Sequence, residues 1–220
     1  DDVNDTSLPV RVNNAGQTAR DTYNVSLKAT YEGENAVLTS GTPYDTLEEV
    51  LTGDAFDFLP IEESFFFNLF EFLFGPGNGF DLNQSQFLDV KAVSQEVRLA
   101  SPDDAGPFNW MFGGYLIDTE RYISTGNMVD TGNGVFPVYR TPSTNPLNPQ
   151  FTFLADGQDN FAWAVFANAG YEISSELRVD ASLRYDRDRR RQTTLTPQAF
   201  LPNVPGVPQA QSGEVRTRVF

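Results

Sequence analysis

Period-two alternation of apolar and polar residues dominates the second half of the chain. Over 161–186, FAWAVFANAGYEISSELRVDASLRYD, the odd positions read Phe161, Trp163, Val165, Ala167, Ala169, Tyr171 and Ile173, then Leu177, Val179, Ala181, Leu183 and Tyr185. The even positions of the second run are Arg178, Asp180, Ser182, Arg184 and Asp186. Side chains of a strand point alternately to its two sides, so both runs predict strands with one apolar and one polar face. The break near Ser174–Ser175 is short enough to predict a hairpin. The same signature recurs at 23–31, where Tyr23, Val25, Leu27, Ala29 and Tyr31 alternate with Asn24, Ser26, Lys28 and Thr30. AVLTSGTPY follows as a weaker partner strand. KAVSQEVRLA (91–100) turns through SPDDAGP into FNWMFGGYLI (108–117), where Phe108, Trp110, Phe112 and Leu116 share a face. A seventh strand is expected to start at 214–220, with Arg216 and Arg218 on the face of Phe220, as in a strand cut midway.

The connections sharpen this picture. Those near 33–35, 101–107 and 174–176 are short, whereas about 45–89, 121–158 and 192–213 are long, and the two kinds alternate. In an up-and-down sheet all long loops then emerge at one end. The expected fold class is therefore all-β, an antiparallel up-and-down transmembrane β-barrel segment of about six strands, with short periplasmic turns and long extracellular loops. A soluble sheet with one buried face and edge aromatics is the competing arrangement, and it predicts more even turn spacing. Strand length favours the membrane. Phe161 to Tyr171 spans roughly 33 Å, which at a tilt of about 45° covers roughly 23 Å, close to the ~25 Å apolar band of such barrels. Aromatic residues bound the run, as interfacial girdles do.

One stretch breaks the alternation. IEESFFFNLFEFLFGPG (61–77) is almost wholly apolar, yet Ser64, Asn68, Glu71 and Gly75 fall in one stripe at helical spacing. A short helix is expected near 60–74, with Pro60 at its first position, Glu62 and Glu63 at its positive end, and Gly75-Pro76-Gly77 as its stop. At about 22 Å it is too short to span a bilayer, which places it in an extracellular loop. Phe66, Phe70, Leu73 and Phe74 are candidate contacts to neighbouring loops, a partner protein or a hydrophobic ligand. Thr46-x-x-Glu49 offers a capping box for a second short helix ending near Gly53.

Composition removes several functions. The 220 residues contain neither Cys nor His, which excludes disulfides, Cys/His zinc sites and His-dependent acid–base chemistry. A formal charge of −15 argues against nucleic-acid binding. Segment 45–89 carries many acids, Asp45, Glu48, Glu49, Asp54 and Asp57 among them, without Lys or Arg. No calcium-loop spacing occurs there, so a solvated acidic loop is expected rather than a metal site. No glycine-rich phosphate loop occurs. No catalytic, cofactor or metal site is expected, and the chain reads as a non-enzyme. Arg178, Asp180, Ser182 and Arg184 are expected to face a lumen as polar filling or as the lining of a substrate route. The run Asp186–Arg191 is expected to form a salt-bridged strand extension above the membrane, with contact to anionic lipopolysaccharide head groups or an anionic ligand as the functional alternative.

Three stretches together carry a family resemblance. Ser94, Gln95, Glu96, Arg98 and Ser101, then Trp110, then Phe166, Tyr171, Leu177, Leu183, Arg184 and Tyr185 fall in an order and spacing that resembles the barrel of TonB-dependent outer-membrane receptors. Gly41 and Asp45 depart from the branched residue and Arg usual in that family. The resemblance implies a 22-stranded barrel filled by an N-terminal plug, and energised uptake of iron–siderophore complexes or other large nutrients. No plug-like segment or energy-coupling box is found, so an internal barrel fragment is expected. Implied partners are outer-membrane lipid and lipopolysaccharide, the TonB complex acting through the missing N-terminal part, and a surface lipoprotein or partner subunit. A soluble secreted β-sheet binding or adhesion module is the alternative.

Overall fold

A computed structural model describes residues 12–14, 16–55, 59–103, 106–130, 132–133, 135–203 and 205–220. Asp57 and two residues of the 101–107 turn lie outside them. The described residues form one antiparallel sheet of seven strands: β1 (Gln17–Glu32), β2 (Val37–Asp54), β3 (Asp81–Ala100), β4 (Phe108–Asp130), β5 (Gln150–Ser174), β6 (Leu177–Thr194) and β7 (Val215–Val219). Strand order in the sheet is chain order, and β1 and β7 are its edges. The all-β, up-and-down arrangement read from the alternation is thus present, as an open sheet with a short seventh strand. Connections 33–36, 101–107 and 175–176 lie at one end, here the turn end. Connections 55–80, 131–149 and 195–214 lie at the other, the loop end. No described helix is long and apolar enough to cross a membrane, which says nothing about crossing by strands.

The strands run far into the segments read as loops. β5 has 25 residues, roughly 80 Å of extended chain. Thr46–Gly53 is not a helix: it continues β2, with Thr46 opposite Tyr23 and Lys91, and Glu49 opposite Arg20 and Leu88. An isolated helical turn has a costly nucleus. A strand between two partners instead has its backbone groups paired on both sides.

Register fixes two faces. Tyr31, Leu38, Leu99, Phe112, Ala167 and Leu183 lie side by side across six strands. Directly opposed residues share a side, so this row belongs to the apolar face predicted from β1, β5 and β6. The opposite row holds Thr30, Thr39, Arg98, Gly113, Phe166 and Arg184. β7 corrects the reading of the last residues. Val219 pairs with Arg189 and Val215 with Thr193, so Val215, Thr217 and Val219 continue the side of Leu183 and Tyr185. Arg216 and Arg218 lie opposite Gln192 and Arg190 on the polar side.

The core sits at the loop end of the same apolar face. Phe87, Tyr122, Met128, Phe153 and Ala155 project from β3, β4 and β5, and Val135, Val138 and Phe200 close over them from two of the long connections. Polar side chains latch these covers to the sheet. The Val138 amide donates to Ser85 Oγ at 2.9 Å, Tyr122 Oη donates to the Arg140 carbonyl at 3.0 Å, and the Ala155 amide donates to Thr196 Oγ1 at 2.8 Å.

Candidate functional site

The phenylalanine-rich stretch folds as two pieces. Ile61–Glu63 is a single 3₁₀ turn, and α1 (Phe65–Phe74) follows it. Ser64 is extended and separates them, so Pro60 caps the 3₁₀ turn rather than opening one helix over 60–74. Glu62 and Glu63 accordingly stand before α1. The predicted polar stripe does serve the helix. Ser64 caps its first turn by accepting from the Phe67 amide at 3.4 Å, and Asn68 Nδ2 donates to the Ser64 carbonyl at 2.8 Å. Glu71 Oε1 accepts from the Gly77 amide at 3.0 Å. Gly75 ends α1 at φ 92°, which a residue with Cβ adopts only with strain.

The four candidate residues of α1 divide. Phe66, Phe70 and Phe74 stack successively, with ring centroids 6.3 and 5.8 Å apart, and Phe70 lies 4.0 Å from the ring of Phe80. A Cβ at Gly79 would come within 2.8 Å of the Phe67 ring, so the chain returning to β3 passes close under the helix. Phe72, Leu73 and Phe74 remain exposed. The helix is thus seated largely on its own loop, with one apolar flank open. It leads into Asp81, twelve residues before Val93 on β3, which is roughly 40 Å of strand beyond the row of Val93 and Phe161.

The second group of candidates lies on the polar face of β6. Arg178 binds both carboxylate oxygens of Asp180 at 3.0 Å, and the pair lies across Gly170, where a Cβ would come within 2.4 Å of Asp180. Arg184 binds Asp186 in the same way and stacks 5.7 Å over Phe166, whose ring covers Gly113. Ser182 Oγ accepts from Asn168 Nδ2 at 2.8 Å. These groups satisfy one another and form an ordered polar surface. They do not converge with α1.

Two features were not foreseen from the sequence. The first is Arg140, which stacks 4.3 Å over the Tyr122 ring, stands 5.7 Å from Phe87 and pairs with Asp89. It closes the boundary between the loop-covered core and the uncovered apolar face. With Lys91, Glu120 and Asp159 it lines an open cavity of about 200 Å³. The burial of Tyr122 pushes its phenol above its ordinary value. The second feature is a buried polar group at the loop end. Asn14 Nδ2 donates to Asp130, the Asn14 amide donates to Asp54 Oδ1 at 3.1 Å, and both carboxylates are almost fully buried. Burial, with Asp130 nearby, raises the Asp54 carboxyl above its ordinary range. Among the described residues no set of three or more acidic side chains is arranged to hold a metal. Neither feature has a sequence signal: each joins residues more than a hundred positions apart or a strand to a loop.

The remaining surface is the turn-end half of the apolar face. It runs from the Phe108–Tyr171–Val179 row to the row of Val93 and Phe161. Leu27 is 70% exposed, Leu183 76% and Val165 51%, and among the described residues nothing packs over them. Trp163 and Tyr185 meet at a tilt with centroids 5.7 Å apart near its upper edge, and Trp110 stacks on Phe112 at 5.8 Å near its lower edge. No protein-family model matches the chain, and no curated protein matches it.

Proposed function

We propose that the chain is a barrel segment of an outer-membrane, TonB-dependent receptor that takes up a large nutrient such as an iron–siderophore complex. The observation that carries this reading is the uncovered apolar band of the turn-end half. A face this wide, interrupted on β2 and β3 only by the mutually hydrogen-bonded Ser40, Thr42 and Gln95, is expensive in water, whereas lipid covers its apolar part without further protein. The polar side of the same strands, with Arg178, Asp180, Ser182 and Arg184 held in ion pairs and hydrogen bonds, then lines a lumen. The long connections and α1 stand on the cell surface, where Phe72, Leu73 and Phe74 are available to a lipoprotein lid, a partner subunit or an apolar ligand. The motif resemblance of 94–101 and 161–185 supplies the receptor class. Eight strands are the fewest that close a spanning barrel, and open edges in lipid leave backbone groups unsatisfied, so β1 and β7 pair with further strands in the assembled protein.

Fractionation of the full-length native protein tests the membrane assignment. It should sediment with outer membranes and require detergent for release. Recovery in the soluble fraction without detergent overturns it. Induction under iron limitation tests the nutrient class, and no response removes the iron reading. A soluble secreted β-sheet binding or adhesion module is the second reading. It is favoured by the loop-end core around Phe153 and Met128, which packs as a water-soluble β-protein does, but it leaves the turn-end band bare.

A further inference from the structure

Charges of opposite sign stand on the two sides of β5 at the loop-end edge of the apolar band. Asp118 and Glu120 leave β4, and Arg187, Arg189 and Arg191 leave β6, all toward the apolar side. On β5 itself, Asp159 lies between Glu120 and Arg191, and Phe161 lies between Asp118 and Arg189. These six charged side chains are exposed, and among the described residues none of them forms an ion pair. The polar side of β6 differs: Arg178, Arg184 and Arg190 each bind an aspartate two residues away on the same strand. Strand spacing accounts for part of the contrast. Asp118 and Arg189 are two strands apart, roughly 10 Å, with Phe161 between them.

The charges balance, with three carboxylates and three guanidinium groups across β4, β5 and β6. Lys91 on β3 stands opposite Glu120 and adds one positive charge, whereas Asp89 is already held by Arg140. On the basic side, Phe161, Trp163, Arg187, Arg189, Thr217 and Val219 enclose an open groove of about 360 Å³. An anionic partner would answer the arginines but would meet Asp118, Glu120 and Asp159 with like charge. A basic partner would do the reverse. A surface with acids on one side and bases on the other answers both, and a second copy of this chain is such a surface. A two-fold axis along the membrane normal, passing near Phe161, exchanges the β4 and β6 sides and keeps both loop ends on one side of the membrane. Contacts about such an axis use the same patch on both copies. The acids of each copy then face the arginines of the other, twice over, and complementary charge of this kind fixes partner and register.

We propose that the outward side of β4, β5 and β6 is a homodimer contact, in which Asp118 and Glu120 of one copy meet Arg187 and Arg189 of a second. This rests on the membrane reading above, which sets the common orientation of the two copies. The experiment uses the full-length protein in mild detergent, with its mass read by sedimentation and, in nanodiscs, by native mass spectrometry. The native protein should have twice the subunit mass, and raising the salt concentration should dissociate it. Asp118→Lys/Glu120→Lys makes both sides of β5 basic, and Arg187→Glu/Arg189→Glu makes both sides acidic. Each variant alone should self-associate more weakly, on the order of a hundredfold, because up to four pairs are lost and replaced by like charges. Mixed together, the two should form a heterodimer. Arg190→Gln/Arg216→Gln changes charge on the polar side of the neighbouring strands and should dimerise as the native protein does. Heat-modifiable electrophoretic mobility reports whether each variant is folded.

Self-association of both folded reversal variants at the native strength overturns the proposal, and so does a mixture that stays monomeric. A complex whose mass is not a multiple of the subunit overturns it in favour of a different protein partner. If either reversal variant is unfolded, Arg187→Gln/Arg189→Gln decides: dimerisation unchanged from the native protein also overturns it. Detergent-free recovery of the native protein defeats the membrane reading itself. Membrane insertion as a monomer defeats only the contact.

Discussion

Phe153 and Val165 leave the same face of the same strand, yet Phe153 is 1% exposed and Val165 51%. The difference is what stands in front of them. At the loop end, Val135, Val138 and Phe200 come back over the sheet and close a core. At the turn end the connections are too short to fold over anything. The band around Val165 therefore has no cover within the described chain. One alternating pattern thus serves two environments along one strand, and the length of the nearest connection decides which. In the first half the protein supplies its own apolar medium. In the second, the described residues supply none.

The largest effect is expected where the chain covers itself. Phe153→Ala should cost about 3–5 kcal/mol, the range for deleting a buried aromatic ring. The loss should be confined to the loop-end half, read as faster hydrogen exchange of β4 and β5 amides near Met128 and Ala155 with the turn-end half unchanged. Protection lost equally along both strands would show that the halves are not separate environments. Leu183→Arg comes next and discriminates between media. In a lipid-facing band it should destabilise the full-length protein by about 2–4 kcal/mol, measured by denaturant unfolding from bilayers. At 76% exposure to water the same change would be close to neutral, and that result would break the contrast between the two halves.

The turn-end half was the legible one. A strand with a different medium on each side writes alternation into its sequence, and 161–185 and 23–31 display it. The loop-end half was less legible because both sides are mixed there. In β4, Tyr122 and Ile123 are adjacent large residues on opposite faces, and in β5 Leu154 interrupts Phe153 and Ala155. Its strands are held by pairing to long neighbours and by loop covers. That dependence on distant residues also made Thr46–Gly53 look like a capped helix. For the helix at 65–74, composition and the Ser64/Asn68/Glu71 stripe sufficed to locate it. They could not show the extended Ser64, since a capping serine and the first residue of a turn look alike in sequence. The candidate side chains of β6 were placed on the right face by alternation. Their partners were not, because an ion pair between residues two apart depends on rotamers and on the open glycine surface opposite.

A smaller effect is expected at that cap. Ser64→Ala should cost about 1 kcal/mol, in line with the loss of an N-cap acceptor. It should appear as faster exchange of the first amides of α1 while the strands stay protected. Exchange unchanged at Phe67 would mean that stacking on Phe80, rather than the cap, sets the start of the helix.

The last effect depends on pH. Asp54 is 3% exposed, and its carboxyl is raised above 3.8 chiefly by burial, with hydrogen bonds from Asn14 opposing the shift and Asp130 adding to it. An acid whose pKa is higher in the folded than in the unfolded chain binds its proton more tightly when folded. The stability linked to that proton is present below the unfolded pKa and is lost as pH rises through the folded value. The loop end of β2 and β3 should therefore loosen as pH rises from below 4 toward neutrality, while the turn-end band, read through β5 and β6 amides, should not follow it. Asp54→Asn keeps the oxygen that accepts from the Asn14 amide at 3.1 Å. It replaces Oδ2, which has no hydrogen-bond partner among the described residues, with a neutral group. The variant should match the native protein in acid and exceed it at neutral pH, measured by hydrogen exchange at several pH values after correction for intrinsic rates. A native protein that tightens as pH rises would mean that Asp54 is held as a charged group. The loop end would then be stabilised by ionic pairing rather than by the burial that distinguishes it from the turn end.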